Sequence, residues 1–121
     1  MRRILVADDE EALRFLLHVT LEEGEYEIVD ACDGREALTA ARTFHPSLVI
    51  LDWMMPKMEG IEVVRALKRD PATRHIPVIL LTSRSQEADR LEGRDAGVSV
   101  FLAKPFSPKE LVWHVERLLG S

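Results

Sequence analysis

The stretch Leu48-Val49-Ile50-Leu51-Asp52-Trp53-Met54-Met55-Pro56 decides the fold. Four aliphatic residues run into one carboxylate, and a proline follows four residues later. A short apolar run closed by a breaker predicts a strand buried on both faces. Such strands belong to sheets covered by helices on either side. Asp52 then stands at the strand's carboxyl end, where an unpaired buried charge is costly. The rest of the chain must supply its partners.

The pattern repeats on both sides of this stretch. Arg3-Ile4-Leu5-Val6-Ala7 predicts a first strand, ending at Asp8-Asp9-Glu10. Asp8 with Glu11 has capping-box spacing, so a helix is expected from there. Ala12, Leu13, Leu16, Leu17, Val19 and Thr20 form its expected apolar stripe. Tyr26 to Ala31 mixes polar and apolar residues, which places this second strand at a sheet edge. Asp33-Gly34-Arg35-Glu36 repeats the capping-box spacing and opens a helix that runs to Phe44. Beyond the central stretch, Glu59-Gly60 begins a third helix, ending at Arg69-Asp70-Pro71.

Pro77 to Leu81 is the fourth strand, stopping at Thr82-Ser83. Ser85 to Ala96 is a fourth helix with only Ala88, Leu91 and Ala96 to bury, so it should be held loosely. Val98 to Leu102 is a fifth strand, leading to Ala103-Lys104-Pro105. Ser107-Pro108-Lys109-Glu110 then opens a fifth helix, with Ser as N-cap, Pro in the first turn and Glu at N3.

Five strand–helix alternations predict an α/β domain with a mostly parallel sheet and right-handed crossovers. We expect residues 1–121 to form one domain. The chain shows no linker, repeat or low-complexity segment. Its net charge of −5 argues against a nonspecific grip on nucleic acid. A single cysteine, Cys32, excludes an internal disulfide and fits a reducing compartment; its small thiol is expected to be buried. The apolar start stops at Asp8-Asp9, too short for a signal peptide, and nothing approaches the ~18 apolar residues of a membrane span. A cytoplasmic protein is expected.

In a parallel sheet all strand carboxyl ends share one edge, where α/β proteins bind ligands. Asp8, Asp9, Asp52, Thr82 and Lys104 therefore converge there. Three carboxylates and one lysine leave a net charge of −2 in a half-buried place, which calls for protons or a cation. Oxygen donors without a Cys/His cluster suit a hard divalent ion, and Mg²⁺ favours few carboxylates plus a phosphate oxygen. The residues thus predict a Mg²⁺ site that handles a phosphoryl group. Asp52 is the expected nucleophile, with Lys104 and Thr82 stabilising phosphoryl oxygens.

With Asp8-Asp9, Asp52 inside Asp52-Trp53-Met54-Met55-Pro56, Gly60, Thr82-Ser83 and Lys104-Pro105-Phe106 in order, the chain resembles the receiver domains of bacterial two-component response regulators. The resemblance runs from Met1 to the last helix. It implies a flavodoxin-like sheet of order 2-1-3-4-5 flanked by five helices. It implies that Asp52 accepts a phosphoryl group from a phosphohistidine on a sensor histidine kinase or phosphotransfer protein. Asp9, Asp52 and the Met54 backbone carbonyl would ligate Mg²⁺, with Asp8 acting through water. Ser83 would offer its backbone N–H to the phosphoryl group. Phe101 matches the switch aromatic that moves with Thr82, and the bond before Pro105 is expected to be cis. Output to a protein or domain would use the face of the fourth helix, fifth strand and fifth helix. The domain would catalyse only its own phosphorylation and slow dephosphorylation, and would bind neither nucleic acid nor membrane directly.

Two departures bear on these expectations. Val98-Ser99-Val100-Phe101 replaces the acidic Ala-Asp-Asp-Tyr-like run of many transcription-factor receivers, and His114 stands where an arginine is frequent. Both place a phosphorylation-dependent homodimer in doubt. Met54 and Arg84 occupy the positions that tune phosphoryl lifetime, and an apolar Met54 cannot position water, so a moderately long-lived phosphoryl group is expected.

Other readings fit less well. A haloacid-dehalogenase phosphatase needs a second Asp at position 54, which is Met. A flavodoxin needs a phosphate loop where Asp8-Asp9-Glu10-Glu11 would repel phosphate, and Gly-x-Gly-x-x-Gly is absent. The remaining alternative is a phosphorylation-independent receiver-like interaction module. Such modules usually lose site residues, and none is lost here. Trp53 is expected to shield the site or report on metal, Trp113 to lie at the core's edge, and the four histidines to be structural or solvated.

Overall fold

A computed structural model describes residues 1–83 and 87–120. The chain alternates β1 (Arg3–Ala7), α1 (Glu11–Leu21), β2 (Glu27–Ala31), α2 (Gly34–Phe44), β3 (Leu48–Asp52), α3 (Gly60–Arg69), β4 (Val78–Thr82), α4 (Glu87–Ala96), β5 (Val100–Ala103) and α5 (Pro108–Leu119). The five strands form one parallel sheet in the order β2-β1-β3-β4-β5. β2 is an edge strand, as its mixed composition requires, while every residue of β3 and β4 is buried.

The pleat sends alternate residues to two cores. Leu5, Val49, Leu51, Val78 and Leu80 face α2, α3 and α4, whose contributions include Ala37, Val64, Leu67 and Ala96. Ile4, Val6, Ile50, Ile79 and Leu81 face α1 and α5, through Leu17, Leu21, Leu111 and Val115. Each fully buried aliphatic side chain contributes about 2 kcal/mol of transfer free energy.

Helix starts show where local sequence rules hold. Asp33 Oδ1 accepts from the Glu36 N–H at 2.8 Å and caps α2. Glu36 reaches back one residue further than a capping box requires, to the Cys32 N–H at 3.0 Å. Ser107 Oγ accepts from the Glu110 N–H at 3.4 Å and caps α5, with Pro108 in the first turn. The expected Asp8 cap of α1 fails. The helix begins at Glu11 without a side-chain cap, and Asp8 Oδ1 instead accepts from the Glu10 N–H at 2.8 Å in an Asx turn. That turn keeps the buried Asp8 carboxylate at the sheet edge.

Other expectations need correction. α1 buries a narrower stripe than its pattern suggests: Leu17 and Leu21 are buried, whereas Ala12, Phe15, Leu16 and Val19 are exposed. α1 rests on β1 and against α5, and only Leu17 and Leu21 are buried in that core. In α4, Ala88 and Leu91 lie outside; Gly93 and Ala96 are its buried residues, so the helix is held even more thinly than expected. β5 starts at Val100, two residues later than predicted. Cys32 is exposed, drawn outward by a 3.3 Å hydrogen bond from its thiol to Glu36. Trp113 is half exposed, with the Arg117 guanidinium 5.0 Å above its ring. Among the described residues, no helix is long and apolar enough to cross a membrane.

Candidate functional site

Strand register assembles the site. Asp52 pairs with Leu81, and Thr82 pairs with Ala103, so Thr82 lies one step beyond the partner of Asp52, and Lys104 one step beyond the partner of Thr82. The Lys104 N–H donates to the Thr82 carbonyl at 2.8 Å, which extends the ladder past β5. Alternation then carries Asp8, Asp52 and Lys104 onto the face of Val6, Ile50 and Leu102, while Thr82 and Phe101 share the opposite face. The Lys104–Pro105 peptide bond is cis, as expected.

The Lys104 ammonium lies 3.1 Å from Asp52 Oδ1 and 3.5 Å from Asp8 Oδ2. Carboxylate oxygens of Asp8, Asp9 and Asp52 lie within 4.8 Å of one another. Asp8, Asp52 and Thr82 are buried, whereas Asp9 is exposed. Burial is the largest influence on Asp8 and pushes its carboxyl up to about 6; the Glu10 N–H opposes this, Asp52 and Asp9 add to it, and Lys104 opposes it. Asp52 is also raised, first by burial, with Lys104 pulling it down. For Lys104, burial disfavours the charge, but Asp52 and Asp8 outweigh it and hold the ammonium above its ordinary value.

These donors fit a small hard cation. Three carboxylates converge, and no thiol or imidazole belongs to the cluster. Among the described residues, no hydrogen bond is made to the Met54 carbonyl, and the Met54 side chain is 55% exposed at the rim of the loop after β3. Asp8, Asp9, Asp52 and the Met54 carbonyl are therefore the residues suited to hold Mg²⁺.

The loop itself is tightly made. The Trp53 N–H donates to Leu81 at 2.9 Å, and the Gly60 N–H closes back on the Trp53 carbonyl at 2.8 Å. Gly60 lies so close to Asp52 that a Cβ there would overlap the Asp52 carbonyl. Trp53 is fully buried and meets Phe101 edge-on at 5.9 Å between ring centroids. Phe101 is partly buried, with Gly93 against its ring and the Arg90 guanidinium 5.8 Å above it. Ser83 is exposed at the end of β4, while Arg84 lies outside the described residues.

Sequence reading missed Arg14. Its Nη1 donates to the Asp8 carbonyl at 2.5 Å, and its Nε stands 3.9 Å from Asp30, which also meets His18 at 2.9 Å. An arginine early in a helix, where the dipole disfavours cations, is the signal that it serves something beyond the helix.

A family model described as the response regulator receiver domain matches residues 4–116. The phosphate regulon transcriptional regulatory protein PhoB of Escherichia coli is 41% identical over 118 residues, covering 98% of this chain and 52% of that protein. The alkaline phosphatase synthesis transcriptional regulatory protein PhoP of Bacillus subtilis is 40% identical, covering 98% of this chain and 48% of that protein. The chain thus spans about half the length of these curated relatives. Among solved structures, chemotaxis response regulator CheY4 of Vibrio cholerae superposes with a TM-score of 0.91 at 34% identity, covering 98% of this chain and 99% of that one. The Francisella response regulator 1452 receiver domain gives 0.92 at 32% identity, covering 99% and 98%.

Proposed function

The chain belongs to the response regulator receiver domain family, a signalling domain of two-component systems, and on that premise we propose that Asp52 is its phosphoacceptor. The observation that carries this is the Lys104 ammonium held between Asp52 and Asp8, at 3.1 Å and 3.5 Å, at the carboxyl edge where the buried Thr82 ends the neighbouring strand. An Asp52 carboxylate oxygen attacks the phosphorus of a phosphohistidine on a sensor kinase or phosphotransfer protein. The P–N bond breaks and the imidazole leaves with a proton from solvent. Lys104 and the Thr82 hydroxyl hold the phosphoryl oxygens, joined by the Ser83 N–H. Asp9, Asp52 and the Met54 carbonyl would hold Mg²⁺, with Asp8 acting through water, and the ion would supply charge neutralisation to the transferring group.

Thr82 and Phe101 share a sheet face, so movement of Thr82 toward phosphate is felt at Phe101 and then at Gly93 and Arg90 of α4. The output face is therefore α4, β5 and α5, presented to a partner protein or an attached domain. The phosphoryl group is moderately long-lived because Met54 offers nothing that orients water, and a lifetime of seconds after donor removal would contradict this. Residues 1–121 act as one phosphoacceptor unit working in the cytoplasm, whose catalysis is confined to its own phosphorylation and dephosphorylation.

Incubation with Mg²⁺ and a small-molecule phosphodonor, followed by intact mass measurement, tests the reading. Wild type gains one phosphoryl group, and Asp52→Ala gains none. No gain in wild type would favour a phosphorylation-independent interaction module.

A further inference from the structure

The loop carrying Met54 is braced from outside the acidic cluster, at the first residue of α2. The Gly34 N–H points at the Pro56 carbonyl at 3.4 Å, and the Met58 N–H donates to the same oxygen at 2.7 Å. Between these contacts Lys57 takes a left-handed turn, φ 69°. The Met58 carbonyl abuts Gly34 so closely that a Cβ at Gly34 would overlap its oxygen and come within 2.7 Å of the Met58 Cβ. Gly34 sits on a well-anchored helix start: Asp33 caps it, and Ala37, Ala40 and Ala41 bury α2 in the core. Lys57 also approaches Asp33 at 3.5 Å, but its side chain is 65% exposed, so this pair contributes little. The brace is a backbone contact that only glycine permits.

We propose that Gly34 is a positioning residue that fixes the loop of residues 53–59 so that the Met54 carbonyl completes a Mg²⁺-sized cradle, and thereby selects Mg²⁺ over Ca²⁺. The inference rests on the reading of Asp8, Asp9, Asp52 and Met54 as cation donors. Its physical basis is the difference between the two ions. Mg²⁺ demands near-ideal octahedral geometry at short distances, whereas Ca²⁺ accepts longer and irregular ligand sets. A loop pushed off α2 moves the one backbone donor relative to three side-chain donors. That displacement penalises the exacting ion and spares the tolerant one. Gly34 touches neither ion nor phosphate, and acts only through the loop.

The test is titration with MgCl₂ and with CaCl₂, read by Trp53 emission in a Trp113→Phe background. Gly34→Ala is expected to lose about tenfold in Mg²⁺ affinity, the usual scale for outer supports of a metal site, with Ca²⁺ affinity changed by less than about threefold. Glu36→Ala removes the contact to Cys32 and weakens the same helix start without touching the loop, so it should keep both affinities. Lys57→Val strains the same turn from an exposed position and should show the same Mg²⁺-selective loss. A folded Gly34→Ala or Lys57→Val protein with the wild-type ratio of affinities overturns the proposal. So does an equal loss for both ions, or the same loss in Glu36→Ala. A wild type that binds no Mg²⁺ overturns the cradle itself, an outcome distinct from intact wild-type binding without a Gly34 effect.

Discussion

α3 and α4 are neighbours of equal length, ten residues each, on the same side of the sheet. α3 buries Gly60, Ile61, Val63, Val64, Ala66 and Leu67, and α4 buries Gly93 and Ala96. The end of α3 is also fastened by side chains: the Thr73 hydroxyl donates to the Leu67 carbonyl at 2.8 Å, and Lys68 donates to the Ile76 carbonyl at 2.7 Å. The tie from α3 to α4 is an exposed Arg65–Glu92 pair at 3.0 Å, which holds little. One helix is a wall and the other rests against it. The proposed switch, a rigid phosphoacceptor beside a changing outer face, would use both, side by side.

Truncating the wall should cost most. Leu67→Ala removes a fully buried side chain and should destabilise the domain by about 3 kcal/mol, measured by urea denaturation. A loss below about 1 kcal/mol would break the distinction between the two helices.

The fixed part of the molecule also carries a built-in penalty. The folded protein keeps the Asp8 proton up to about pH 6, whereas the unfolded chain releases it near 3.8. Folded protein therefore binds more protons in that window, and metal-free stability falls as pH rises from about 4 to about 6. Above the window the loss stays in full, on the order of 2–3 kcal/mol. Asp8→Asn should raise metal-free stability by about 2 kcal/mol at pH 7 and by little at pH 4. Equal effects at both pH values would show that burial of the charge is not the cause.

A smaller effect separates transmission from chemistry. On phosphorylation, amide exchange in α4 should change on the order of tenfold, about 1.4 kcal/mol, while α3 stays as it was. Lys104→Ala should still accept phosphate but leave α4 exchange unaltered. A normal α4 response in that variant would remove Lys104 from the switch. Smallest of all, Leu91→Ala on the exposed side of α4 should move stability by no more than about 0.5 kcal/mol.

The sequence made the architecture legible because β3 and β4 are apolar throughout and the caps at Asp33 and Ser107 follow local rules. The gathering of Asp8, Asp9, Asp52 and Lys104 followed from topology, with Thr82 at the end of the neighbouring strand. What escaped depends on packing at a distance. Asp8 has the spacing of a helix cap, yet the sheet edge holds its carboxylate elsewhere. Cys32 has the composition of a core residue, yet one hydrogen bond to Glu36 turns it outward. Leu16 and Val19 match a helical stripe, yet only Leu17 and Leu21 of α1 are buried in the core. Gly34 reads as an ordinary helix start, and its contact with Met58, 24 residues away, is visible only in three dimensions.

The ammonium of Lys104, lodged between Asp52 and Asp8, also limits what a partner can sense. On the proposed reading, phosphorylation would replace one negative charge on Asp52 by roughly two. Beside a fixed cation, the net change is about a single charge, and its field in salt fades over about 8–10 Å. If α4 is the output face proposed above, it would speak to its reader through the shape of displaced side chains, with Phe101 and Arg90 foremost, and hardly at all through potential. Salt should accordingly leave the discrimination between the two states almost untouched, even where it weakens binding to both.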